Sequence, residues 1–329
     1  ETELYLWHPK DPEIIPYQQT NWNRNKDDIY YSIYDLESIN KLHLADSTET
    51  GIVFNDNPNF TIQFDYEPYK KLMTYSGWYY DLYAVNISNG KKQLIEKEVE
   101  ERASLSPNGL YTVFFKEKKW YSHNNQTNKT TILNSELDIP FFDVTDDHPK
   151  EPGSYNMRGW VGEDQKVLIA DQFDIWEFDL ETADSRLITK GFGRKNKMTI
   201  NPINLEKNKK WFDANDKVFS ILYGTKTKKQ QFGILDLATG SLVIKTEGEF
   251  IHNYRGEADN AKTLSIEEII VTGVSYTTGE FLTQKDGTLL IGAPTEAAQP
   301  PINWFRVAKN IVSTYTVKLI PYKETILIR

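Results

Sequence analysis

Asp174-Ile175-Trp176-Glu177-Phe178-Asp179, followed after a short polar gap by Ser185-Arg186-Leu187-Ile188-Thr189, is the stretch on which the fold turns. Ile175, Glu177 and Asp179 alternate with Trp176, Phe178 and Leu180, the period of two that marks a half-buried strand. The same unit occurs three more times. It reads Asp81-Leu82-Tyr83-Ala84-Val85-Asn86 with Asn89-Gly90-Lys91-Lys92-Gln93-Leu94, then Trp120-Tyr121-Ser122 with Thr127-Asn128-Lys129-Thr130-Thr131-Ile132-Leu133. The last copy is Gln231-Phe232-Gly233-Ile234-Leu235-Asp236 with Thr239-Gly240-Ser241-Leu242-Val243-Ile244. Each is a strand, a tight turn and a second strand. Gly90 and Gly240 supply the positive φ such turns need, Asn128 can do so in its copy, and Thr182-Ala183-Asp184 is the weakest turn of the four.

Working outward, Ala103-Ser104-Leu105-Ser106-Pro107-Asn108-Gly109-Leu110-Tyr111-Thr112-Val113-Phe114-Phe115 reads as strand, Pro-Asn-Gly turn, strand. Trp160 to Ala170 is the matching piece before the third copy, and Lys210 to Ser220 precedes the fourth. Four strands per unit is the blade pattern of a β-propeller. The units start at 81, 120, 174 and 231, so their spacings are 39, 54 and 57 residues. A blade takes roughly 40–50 residues, so the longer spacings carry loop insertions. A degenerate copy is visible at Ile29 to Asp35 with Asn40 to Leu44. The fold expected is all-β, a propeller of about seven four-stranded blades filling residues 1–329 as one domain.

The chain has 329 residues, long enough to bury a core without staples. It has no cysteine, which excludes disulfides, thiolate metal sites and a Cys nucleophile. Net charge is −9, with 38 Lys and Arg against 47 Asp and Glu, so a nucleic-acid groove is not expected. Lys226-Thr227-Lys228-Lys229 reads as a solvated hairpin tip. No apolar run approaches the ~18 residues of a membrane span. The chain opens on Glu1 rather than Met and shows no signal-peptide pattern, so its natural start is expected either to have been removed or to lie outside this sequence.

Organisation is weaker elsewhere. Residues 1–28 read as a strand pair with a loop, and Asp138 to Tyr155 as an Asp- and Pro-rich insertion between blades. Gly279 to Ile291 reads as a hairpin through Asp286-Gly287. Trp304, Val307, Ala308, Ile311, Val312 and Tyr315 have helical spacing, while the β-branched run Ile311 to Val317 favours strand.

Catalytic patterns are sparse. The strand-to-helix nucleophile motif Gly-x-Ser-x-Gly is missing, and its nearest approach, Gly273-Val274-Ser275-Tyr276-Thr277, lies in a strand-like run. His8, His43, His123, His148 and His252 include no zinc-helix spacing, and His43 reads as an outward-facing strand residue. The densest polar cluster is Asp143, Asp146, Asp147 and His148. Three carboxylates on a loop could hold Ca²⁺, yet the spacing differs from an EF-hand loop and no closing Glu follows. The plainer reading is an inter-blade loop whose Asp side chains cap their own turns, so no metal and no cofactor is assigned. Glu98, Glu100 and Glu101 invite comparison with acidic groups that hold a substrate amino terminus, but with Val99 alternating among them the preferred reading is a solvated edge. Asn59, Asn86, Asn125 and Asn128 head Asn-x-Ser/Thr sequons.

Several of these runs resemble one family. Glu101-Arg102-Ala103-Ser104-Leu105-Ser106-Pro107-Asn108-Gly109-Leu110-Tyr111 is similar to the blade motif of prolyl oligopeptidase and dipeptidyl peptidase IV-like proteins, as is Leu4 to Asp11. Phe142 to Pro149, then Gly159-Trp160, then Asp171 to Trp176, resemble a bacterial branch of large peptidases of that family. TolB-like propellers share the blade motif. The resemblance implies a non-catalytic propeller, periplasmic or secreted, that gates or positions peptide substrates for a serine peptidase. The α/β-hydrolase domain carrying that family's Ser-Asp-His triad would then be a partner outside this chain, and no catalytic residue carries over. The alternative is a stand-alone TolB- or WD40-like propeller serving as a binding scaffold.

Overall fold

A computed structural model describes residues 8, 10–25, 31–34, 36, 41–44, 50–55, 57, 59–206 and 208–246, together with the backbone of strand segments between Phe250 and Leu327. The chain is mostly β, with many antiparallel sheets and few helices. It divides into two compact units, Glu1–Leu187 with Lys210–Ala214, and Ile188–Lys209 with Asn215–Arg329.

Among the described residues, the first unit holds three larger sheets in chain order. Sheet 1 is the antiparallel meander Thr50–Val53, Phe60–Asp65, Tyr80–Asn86 and Lys92–Val99. Sheet 2 is Ser104–Leu105, Tyr111–Lys116, Lys119–Asn124 and Lys129–Ile132. Sheet 3 is Met157–Val161, Lys166–Ala170, Ile175–Asp179 and Ser185–Leu187. A small hairpin, Ser32–Tyr34 with Lys41–His43, precedes them, as the degenerate copy anticipates.

The middle strands are not half-buried, as simple alternation suggests. In Ile175–Asp179 the first four residues are all buried, and in Tyr111–Lys116 the first five are. Sheet 2 shows why. Tyr111, Val113 and Phe115 pack with Trp160, Val167, Ile169 and Phe178 of sheet 3 in one cluster. Phe114, pointing the other way, packs with Ile62, Phe64, Tyr80 and Leu82 of sheet 1. The period of two thus sorts residues between two neighbouring sheets, as in an inner strand covered on both faces.

Two further expectations change. Among the described residues of 1–28, Ile15–Asn25 is an α-helix where strand and loop were expected. Pro16 starts it, and Thr20 and Asn21 donate side-chain hydrogen bonds to the carbonyls of Pro16 and Tyr17 four residues back, at 2.8 and 2.9 Å. Trp211–Phe212 does not pair with the strand that follows it. It adds in parallel to Met157–Val161, with Trp160 opposite Trp211. Gly159, at φ 147°, makes room for it, since a Cβ there would stand 2.7 Å from the Phe212 ring.

In the second unit, Met198–Pro202, Lys217–Gly224, Gln230–Asp236 and Leu242–Ile244 form another four-stranded antiparallel sheet. Met198–Pro202 supplies the outer strand that Trp211–Phe212 does not. Phe250–Glu257 pairs with Thr263–Thr272, on which Thr316–Leu319 and Thr325–Leu327 also pair. Glu280–Thr283, Leu289–Gly292 and Trp304–Val307 form a three-stranded sheet. The expected hairpin is therefore present, although Asp286-Gly287 lies outside the described residues. The helical spacing from Trp304 gives way to strands at both described segments, and 308–315 lie outside the described residues.

Candidate functional site

The loop between sheets 2 and 3 brings the acidic cluster only partly together. Asp146, Asp147 and His148 place ligand atoms within 4.8 Å of one another. Asp143 is turned to other work, since its Oδ1 accepts from the Thr145 N–H at 2.9 Å and the Thr145 hydroxyl at 2.7 Å. Asp146 Oδ1 accepts from the His148 N–H at 3.1 Å and contacts the ring Nδ1. Those contacts with His148 hold the Asp146 carboxyl below its usual range. Both aspartates are thus Asx-turn acceptors, the turn-capping reading of this stretch.

The three glutamates separate. Glu101 accepts from the Ser154 N–H and, at 2.5 Å, from the Ser154 hydroxyl. Glu100 pairs with Lys150 at 3.0 Å, which raises the Lys150 pKa. Both pin the loop, which is also closed by Asp143 N–H to Gly153 O at 2.7 Å and Tyr155 N–H to Phe141 O at 3.0 Å. Glu98 stands apart at φ 50°, its N–H donating to Asp81 at 3.2 Å. The insertion is therefore a hairpin-like strap tied down at its base.

His43 is exposed, as expected, and its Nδ1 lies 3.1 Å from Ser32 Oγ across the hairpin. His123 is buried, with Nδ1 2.8 Å from Thr130 Oγ1. Ser275 and His252 have no described side-chain surroundings. Of the sequons, Asn125 is 3% exposed and fully engaged. Its Oδ1 accepts from the Thr112 hydroxyl and its Nδ2 donates to Gly109 O. Asn128 sits in the left-handed turn position at φ 58°.

The structure assembles a site that sequence reading missed, where the turns of sheets 1, 2 and 3 meet. Asn55 Nδ2 donates to Leu105 O and Ser106 O at 2.8 and 2.9 Å. Asn59 Nδ2 donates to Asn108 O at 3.0 Å. Asp164, in the sheet 3 turn, accepts from the Asn108 and Leu110 N–H groups at 2.8 and 2.9 Å. Asn108 Nδ2 also donates to Glu163 at 2.7 Å. Each turn thus hands on to the next. Beside them lies a cleft of about 450 Å³ lined by Asn59, Phe60, Asn86, Ser88, Asn108, Leu110, Gln126 and Asp164. Its one available signal in the sequence is a polar turn at the same place in successive units.

No family model matches the chain, and no curated protein matches it. Solved structures to which the chain is similar include TolB from Acinetobacter baumannii, at 12% identity and a TM-score of 0.37, matched over 80% of this chain and 57% of that one. TolB from Agrobacterium tumefaciens is 10% identical with a TM-score of 0.36, over 80% of this chain and 83% of that one. A protein provisionally described as a dipeptidyl aminopeptidase IV, from Bacteroides ovatus, is 10% identical with a TM-score of 0.42, over 81% of this chain and 52% of that one. The chain spans little more than half the length of the Acinetobacter and Bacteroides proteins. Each TM-score is below 0.5, and none of the three fixes the activity of this chain.

Proposed function

We propose that the chain is a β-propeller of about seven four-stranded blades, one domain over residues 1–329. In this reading it serves as a non-catalytic scaffold that gates or positions peptide substrates for a prolyl-oligopeptidase-like serine peptidase. The observation that carries the architecture is sheet 2, a four-stranded meander whose central strand gives alternate residues to sheets 1 and 3. Face-to-face stacking of consecutive meanders is how a propeller is built. Support for the peptidase partner is the ordered series of sequence motifs, of which Ser106-Pro107-Asn108-Gly109 forms the turn that the neighbouring sheets clasp. Selection would be steric, with loops around a central channel admitting extended peptides. The setting proposed is periplasmic or secreted.

Intact mass of the product of the native gene tests this. A mass larger than 38.2 kDa by roughly 25–30 kDa, one added domain of hydrolase size, is expected. A product of the chain's own mass overturns the gating role and leaves a stand-alone binding scaffold. Purified chain alone is expected to leave a prolyl chromogenic peptide uncleaved, and turnover by protease-free material would sink the non-catalytic assignment.

A further inference from the structure

We infer that the cleft between the turns of sheets 1, 2 and 3 is a binding site for a neutral sugar unit. Its volume, about 450 Å³, lies within the range of small-molecule sites. Its described lining contains four carboxamides, one hydroxyl and one carboxylate, with Phe60 and Leu110 as the apolar members and no cationic side chain. A phosphate or carboxylate ligand would find no counter-charge there, and the Asp164 carboxylate would repel it.

The hydrogen-bonding capacity left over is specific. Asp164 is occupied by two backbone N–H groups, and Ser88 Oγ donates to Asn86 Oδ1 at 2.6 Å. Among the described residues, no partner is found for the Gln126 side-chain amide, the Asn86 Nδ2 donor, Asn59 Oδ1 or Asn108 Oδ1. The last two remain as acceptors because their amide nitrogens donate to Asn108 O and Glu163. Unspent donors and acceptors thus line one cleft beside an aromatic ring. Hydroxyl groups, each donor and acceptor at once, satisfy such a set without charge. A pyranose offers those hydroxyls on its rim and an apolar C–H face for Phe60 and Leu110. The clasped turns hold Asn59, Asn108 and Asp164 in place before any ligand arrives, which lowers the ordering cost of binding. Asn59 and Asn86 also head sequons, so a glycan attached at either would fill the cleft itself.

Saturation-transfer NMR on the whole unglycosylated chain, with D-glucose, D-galactose and N-acetyl-D-glucosamine as probes, tests the assignment. D-glucuronate and the tripeptide Ala-Pro-Ala serve as charged and peptidic controls. At least one neutral sugar is expected to show transfer, with C–H face protons strongest. Gln126→Ala removes an exposed side chain, and Asn86→Asp keeps the Oδ1 acceptor while replacing the free donor. Each is expected to weaken binding about tenfold, the worth of one hydrogen bond in a preorganised site. Absence of transfer from all three sugars overturns the proposal. So does transfer that both variants leave unchanged, or stronger transfer from glucuronate or the tripeptide.

Discussion

His123 stands on the third strand of sheet 2, opposite Thr112 and Thr130, and is 1% exposed. Its Nδ1 contacts Thr130 Oγ1, and Nε2 has no partner among the described residues. Burial pushes its pKa down from 6.5 to about 4, because an imidazolium there would lose its hydration without gaining a counter-charge. The neutral ring is therefore the folded form, while the unfolded chain takes up a proton below about pH 6.5. The resulting stability is complete above that value and is lost as pH falls from 6.5 towards 4. Full loss would be on the order of 3 kcal/mol. Denaturant midpoints measured from pH 7 to pH 4 should fall steadily, and His123→Gln should flatten much of that slope. An unchanged slope in the variant would place the loss on carboxylates instead.

The turn is the element that repeats most faithfully. Asn86, Asn124, Asp179 and Asp236 each end a strand, and the N–H four residues later returns to the carbonyl of each, from Gly90, Asn128, Ala183 and Gly240 at 2.8–3.1 Å. Those four residues have φ of 70°, 58°, 64° and 70°. The leading Asn or Asp side chain also caps the turn, as Asp179 does for the Glu181 and Thr182 N–H groups at 2.9 Å. Three copies put glycine or asparagine in the left-handed position, where they carry little penalty, and the third puts Ala183 there. Ala183→Gly should therefore stabilise the chain by about 0.5–1 kcal/mol, read as a shift in urea midpoint without change in slope. A destabilised variant would mean that the Ala183 methyl, which packs beside the core, outweighs its backbone strain. These turns were legible in the sequence because four local residues specify them. Trp211–Phe212 was not, because its partner Trp160 lies far back in the chain and no local signal distinguishes a parallel from an antiparallel edge. The helix Ile15–Asn25 was hidden by its polar composition. The cleft escaped for a related reason: Asp164 becomes a clasp only when sheet stacking brings the sheet 2 turn to it.

At the scale of the first unit, stacking makes sheet 2 answerable to two neighbours. On one side of sheet 2, the Tyr80 hydroxyl donates to Glu101 O at 2.5 Å and accepts from the Ala103 N–H at 2.9 Å. Burial raises the Tyr80 pKa further above its ordinary value, so the hydroxyl stays protonated and able to donate at all ordinary pH. On the other side, the Ser122 hydroxyl donates to Leu180 O at 2.8 Å, binding sheet 2 to the segment after Asp179. Tyr80→Phe strands a buried N–H and Ser122→Ala strands a carbonyl, so each should cost about 1–3 kcal/mol. If sheet 2 is a rigid layer between two separate interfaces, the losses share no partner and the double variant should equal their sum within about 0.5 kcal/mol. A coupling above about 1 kcal/mol would instead show that sheet 2 shifts when either interface is weakened. Sheets 1 to 3 would then act as one elastic stack, in which a ligand in the turn-side cleft could be felt at the strap that Glu100 and Glu101 hold. Measured additivity would confine such a ligand's influence to the turns it touches.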